Sequence, residues 1–136
     1  MEEQIKSKER VAEHGEVFTN TREVNAMLDM VQSESERIDS RFLEPACGTG
    51  NFLAEVLRRK LVTVKRQYGK FSVDYEKYSV LAVSSIYGVD IQQDNVDECR
   101  KRMYDIWNKE YTKNCKDICA DDCREAVRYI LSHNIL

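Results

Sequence analysis

Apolar positions recur along this chain mostly at helical spacing, and twice that rhythm gives way to a short apolar run that ends at an acid. Val24, Met27, Leu28 and Val31 stand at i, i+3, i+4 and i+7, which predicts a helix beginning near Thr21 with one apolar face. From Asn51 a second helix carries Phe52, Leu53, Val56, Leu57 and Leu61 on one side and Glu55, Arg58, Arg59 and Lys60 on the other. Further stripes follow: Tyr75, Tyr78, Leu81, Ala82 and Ile86; then Val96, Cys99, Met103, Ile106 and Trp107 from about Asp94; then Ala126, Val127, Ile130 and Leu131 over 122–132. Trp107 is expected in the core. The pattern dissolves over 62–74, expected as a loop or helix end, and 108–114 reads as polar and turn-like. Residues 2–13 offer only Ile5, Val11 and Ala12 for burial and predict an exposed helix or a frayed terminus without chemistry.

The two short runs, 41–44 and 85–89, predict strands. The first ends at Glu44 and Pro45, and a proline forbids further ladder pairing. Gly48 and Gly50 then let the backbone turn tightly before the helix from Asn51. Such a strand-turn-helix leaves open backbone N–H groups over a helix N-terminus, a seat for a nucleotide-like cofactor. The third glycine of the G-x-G-x-x-G fingerprint is absent, its place taken by Leu53, so a tight turn without a ligand stands beside that reading. The second run ends at Asp90. An acid there either accepts hydrogen bonds from both ribose hydroxyls of a nucleotide or caps the next helix. Gly48 and Asp90 are 90 − 48 = 42 residues apart, so an extra helix is expected within the crossover.

The run Glu44, Pro45, Ala46, Cys47, Gly48, Thr49, Gly50, Asn51, Phe52, Leu53 resembles the S-adenosylmethionine-binding motif I of adenine-N6 DNA methyltransferases of restriction-modification systems. Gly15, Phe18 and Thr19 resemble motif X of the same family, with Asn20 where the family has a proline, and the run from Tyr87 through Asp90 and Ile91 to Arg100 resembles motif II. The resemblance covers about residues 14–105. It implies an α/β chain with a partial Rossmann-like methyltransferase fold, helix-rich, with helices before the first strand. Residues 1–40 would form an N-terminal helical segment with motif X, and 41–136 a partial cofactor-binding domain whose two strands are neighbours in the sheet.

The implied cofactor is S-adenosyl-L-methionine. Its implied contacts are Phe18 and Thr19 at the methionine end, Glu44 or Asp90 on polar groups, and Gly48 and Gly50 for close approach. Pro45, Ala46, Cys47 and Thr49 would form the turn, Phe52 would pack it, and Ile91 would neighbour the adenine. The family's Asn/Asp-Pro-Pro-Tyr/Phe motif has no counterpart, because Pro45 is the only proline. No residue here is therefore named catalytic, and the chain alone is expected to be inactive. The parent's chemistry would be direct methyl transfer to an amino nitrogen without metal, with DNA held through parts outside this chain. Two other classes remain: a non-catalytic S-adenosylmethionine-binding partner or sensor subunit, and a degenerate interaction module that binds no cofactor.

Composition narrows these readings. A chain of 136 residues is the size of one domain, and its 42% apolar and 33% charged residues suit a modest core under a highly charged surface. A net charge of −3 argues against this segment being the main grip on nucleic acid. The basic and aromatic stretch Lys65, Arg66, Tyr68, Lys70 is most simply solvated. No apolar run approaches the roughly eighteen residues of a membrane span, and Met1, Glu2, Glu3 and Gln4 open too acidically for a signal peptide, so the cytoplasm is the expected location. The five cysteines are expected as reduced thiols. Cys115, Cys119 and Cys123 would line one stripe of a continuous helix, with His133 beyond; their spacing does not suit a zinc site. A sheet fragment with an open edge is expected to self-associate or to be covered by a partner or by the N-terminal helices.

Overall fold

A computed structural model describes residues 21–136. Phe18, Thr19 and the rest of the expected motif X lie outside the described residues. Six helices and two strands follow in order: α1 (Thr21–Asp29), α2 (Gln32–Glu36), β1 (Phe42–Glu44), α3 (Asn51–Tyr68), α4 (Ser72–Ser84), β2 (Ile86–Gly88), α5 (Gln93–Asn114) and α6 (Asp121–Asn134). The described chain is thus helix-rich around a small parallel sheet.

β1 and β2 pair in parallel, with Phe42 opposite Ile86, Leu43 opposite Tyr87 and Glu44 opposite Gly88. Parallel neighbours need a long crossover, and α3 with α4 supplies it. A third strand position begins at Ile135, bridged in parallel to Gly88 on the other side of β2. The Leu136 amide donates to the Gly88 carbonyl at 2.9 Å, and the Asp90 amide to the Leu136 carbonyl at 2.9 Å. Alternation sorts the sheet faces: Ile86, Gly88 and Ile135 are buried, whereas Leu43, Val89 and Leu136 are exposed.

The core forms around α3. Leu53, Val56, Leu57, Leu61 and Val64 are almost wholly buried, as the apolar stripe requires. Lys60 departs from its expected place on the polar side. It is buried, and its Nζ donates to the carbonyls of Arg37 at 2.6 Å, Ile38 at 3.1 Å and Ser40 at 2.6 Å. One ammonium thereby satisfies three backbone acceptors in the segment that enters β1, and desolvation lowers its pKa to about 8.

The 62–74 stretch is largely helix end, and the expected turn over 108–114 is helical instead. α3 continues to Tyr68 and α4 starts at Ser72, so only three residues of the 62–74 stretch lie between helices. The polar run Lys65, Arg66, Gln67 faces solvent on the last turns of α3, while Tyr68 stacks on Tyr78 of α4 with centroids 3.7 Å apart. α5 likewise runs through 108–114 to Asn114. The reason is Tyr111, four residues after Trp107 and on the same face: both are fully buried and their rings stack at 4.6 Å. Trp107 Nε1 donates to Ser79 Oγ at 3.0 Å, and the Tyr111 hydroxyl donates to Glu76 Oε2 at 2.8 Å. These bonds settle the polar ends of both aromatics against α4.

Two predicted stripes shift by a residue or so. α4 buries Tyr75, Ser79, Ala82 and Val83, leaving Leu81 exposed, and α1 buries Val24 and Leu28 but not Met27. The three late cysteines share no helix: Cys115 and Cys119 lie in the turn between α5 and α6, and Cys123 in α6. Among the described residues no group of three or more His, Cys, Asp or Glu could hold a metal ion, and no helix is long and apolar enough to cross a membrane.

Candidate cofactor site

The parallel pairing brings Glu44 and Asp90 to the same, C-terminal end of the sheet, where open α/β sheets bind ligands. Beyond the strands the ladder is carried on by the loop. The Val89 amide donates to the Glu44 carbonyl at 3.0 Å, and the Cys47 amide to the Val89 carbonyl at 2.9 Å. The chain then turns through Gly48 at φ 57° and Gly50 at φ 92°, a left-handed backbone that costs glycine nothing. The Gly50 amide closes the turn on the Cys47 carbonyl at 3.0 Å, and the Ala54 amide opens the helical ladder on the Gly50 carbonyl at 2.7 Å.

The expected open amides are mostly engaged. Ala46 N–H donates to Glu44 Oε1 at 3.2 Å, Cys47 and Gly50 N–H bond as above, and Gly48 N–H donates to Asp90 Oδ2 at 3.0 Å. The amides that precede the i→i−4 ladder are those of the first turn of α3, at Phe52 and Leu53, rather than those of the glycine loop itself. Asp90 also accepts at Oδ1 from the Gln92 amide at 2.8 Å and from Asn95 Nδ2 at 3.2 Å. Asp90 thus bonds to the start of the next helix and clamps the turn 42 residues upstream.

The remaining expected residues divide by position. Cys47 and Gly48 are buried, Thr49 is half-buried, and Pro45 and Ala46 are exposed at the strand end. Phe52 is half-buried and tilts against Phe42 with centroids 6.3 Å apart. Ile91 is 79% exposed beside Asp90 and free to meet an apolar ligand surface. The Cys47 thiol is held below its ordinary pKa chiefly by a hydrogen bond from the Cys99 thiol, against the opposing effect of burial. Cys99 is correspondingly raised.

Four supporting residues escaped the sequence reading. Asn95, Cys99 and Arg102 stand at i, i+4 and i+7 on α5 and all reach the turn: Asn95 bonds Asp90, the Cys99 sulfur meets Gly50, and Arg102 Nη1 donates to Asn51 Oδ1 at 2.5 Å. Their spacing was the available signal. The fourth is Gly88. A Cβ there would stand 2.7 Å from Leu53 Cδ1 and 3.0 Å from the Cys47 Cβ, so strand and helix meet at this glycine. In the dinucleotide fingerprint the third glycine, on the helix, permits that approach. Here the helix bears Leu53 and the strand bears the glycine.

At the other end of α3 a cleft of about 430 Å³ opens between α2, α3 and α4, lined by Arg37, Asp39, Arg66, Tyr68 and Tyr78 among others. It shares no residue with the glycine turn. No protein-family model matches the chain, and no curated protein or solved structure matches it at a significant level.

Proposed function

We propose that this chain binds S-adenosyl-L-methionine at the C-terminal end of its parallel strands, as the cofactor-binding portion of an adenine-N6 DNA methyltransferase of restriction-modification type. The observation that carries the reading is the Gly48 to Asp90 hydrogen bond, which joins the turn resembling motif I to the acid resembling motif II. The first turn of α3 would face the polar end of the ligand, and the carboxylate at β2 would take its ribose. Exposed Ile91 would lie against its adenine. Base recognition and methyl transfer to DNA would depend on groups other than those described.

A carboxylate offers about four acceptor sites, and Asp90 already receives three donors. A ribose that donates two hydroxyls would therefore displace or share one of them. The Gly48 amide is the donor best placed to yield, because its glycine backbone adjusts without a side chain. Calorimetric titration of S-adenosylhomocysteine and S-adenosylmethionine into the chain tests the reading. Micromolar binding, roughly −8 kcal/mol, is expected, weakened by about 1–3 kcal/mol in Asp90→Ala. Absence of heat and of any thermal shift at millimolar ligand, in a chain whose circular dichroism shows it folded, would overturn it.

A further inference from the structure

The turn carries a second chemistry that cofactor binding does not use. Cys99 Sγ lies 2.8 Å from the place a Gly50 Cβ would occupy, and Gly50 closes its turn on the Cys47 carbonyl at 3.0 Å. The α5 sulfur thus presses on the same turn that bears Cys47, whose own sulfur stands 3.1 Å from the place a Gly88 Cβ would occupy. We propose that Cys47 and Cys99 form an oxidation site, a thiol pair that hydrogen peroxide closes into an intramolecular disulfide tying the glycine turn to α5.

The two sulfurs are unequal in a way that orders the steps. Cys47 retains 6% exposure at the turn while Cys99 has none, so peroxide reaches Cys47 first. The Cys99 hydrogen bond also favours the Cys47 thiolate, the nucleophilic form. That thiolate attacks one peroxide oxygen, the O–O bond breaks, and Cys47 becomes a sulfenic acid as hydroxide leaves and takes up a proton to give water. Cys99 sulfur then attacks the sulfenic sulfur, the S–O bond breaks, and the departing hydroxide takes the Cys99 proton as a second water. Two thiols are oxidised by two electrons and one peroxide is reduced to two waters. A disulfide needs its sulfurs about 2.05 Å apart, so the pair must draw together across the turn. The positive-φ glycines on either side of Thr49 supply the freedom to do so. Cys115, Cys119 and Cys123 serve as internal comparators on another part of the molecule, the first buried and pushed up to about 12 by desolvation.

Cross-linking is a property of the thiols alone; only its effect on ligand uptake rests on the proposed function. The full chain would be treated with stoichiometric hydrogen peroxide, alkylated and digested with trypsin. The expected product joins peptide 42–58 to peptide 78–100 and separates again with dithiothreitol. In Cys99→Ser, Cys47 should instead stop at a sulfenic acid that dimedone labels. Recovery of the two wild-type peptides unlinked from folded protein, or linkage confined to peptides 114–116 and 117–124, would overturn the proposal. S-adenosylhomocysteine titrated into both forms reads the consequence: binding should fall on oxidation and return on reduction. A 47–99 cross-link in a chain whose reduced form binds no S-adenosylhomocysteine would overturn the cofactor reading and leave the oxidation site standing.

Discussion

At the strand end of the molecule, elements meet where side chains are missing; at the helical end they meet where side chains are largest. Gly88 admits Leu53, Gly50 admits the Cys99 sulfur, and a single carboxylate ties the turn to the second strand. At the far end Tyr75, Trp107 and Tyr111 fill the space between α4 and α5, with Ser79 and Glu76 receiving two of their polar atoms. The first arrangement fixes backbone position. The second buries three large aromatic side chains between α4 and α5.

The largest effect should therefore come from the aromatic end and leave the turn alone. Trp107→Ala removes a fully buried indole and the N–H that Ser79 accepts, which should cost about 3–5 kcal/mol in urea unfolding. Any S-adenosylhomocysteine affinity of the molecules that remain folded should be unchanged. If affinity fell in proportion to stability, the two ends would be one cooperative site and the contrast would fail.

Next in size is the close approach at Gly88. Adding a methyl places it 2.7 Å from Leu53 Cδ1 and 3.0 Å from the Cys47 Cβ, so Gly88→Ala should cost about 1–3 kcal/mol through overpacking. Leu53→Ala opens that space, and the double variant should be more stable than the two single losses predict, with a coupling above about 0.5 kcal/mol. Strict additivity would mean that Leu53 does not set the spacing. The exchange of a helix glycine for a strand glycine would then have no energetic content.

The same contrast explains what could be read from the sequence. The glycine turn and Asp90 were legible because their signals are local: two glycines, a proline and an acid at a strand end. Which donors Asp90 would receive was not, since Gly48 lies 42 residues away and only the strand pairing brings it near. At the helical end the helices were legible but their lengths were not. Lys65, Arg66 and Gln67 occupy the solvent side of a continuing helix, and Tyr111 hides among polar neighbours though it faces Trp107. Lys60 misled for a related reason. A lysine between apolar stripes reads as solvated until three carbonyls from a preceding loop are known to surround it.

Lys60 ties α3 to the segment that enters β1, and its effect should depend on pH. Burial lowers its pKa to about 8 from an ordinary 10.5. Between those values the folded chain has released a proton that the unfolded chain still holds, so the group's contribution to stability rises with pH across that window. Below 8 the cost of the buried charge is present in full. Against Lys60→Met, wild type should gain up to about 1.4 kcal/mol per pH unit between 8 and 10.5. At neutral pH the variant should still be the weaker by about 1–3 kcal/mol, because the carbonyls of Arg37, Ile38 and Ser40 lose their donor. A difference that stays flat with pH would place the amine in contact with water.

The smallest effect belongs to the sheet face that neither arrangement covers. Leu43 is 66% exposed on β1, and Val89 and Leu136 are exposed on the neighbouring strands of the same face. Leu43→Thr removes apolar surface that the folded chain does not bury, so unfolding in dilute solution should change by no more than about 0.5 kcal/mol. Threonine also brings the β-branched shape a strand accepts. Sedimentation at rising concentration adds the sharper comparison: association through this face should weaken in the variant while stability holds. A stability loss that grows with protein concentration would be the same contact seen by mass action, copies of the chain burying Leu43. The strand end would then have an apolar contact of its own, supplied from outside the fold.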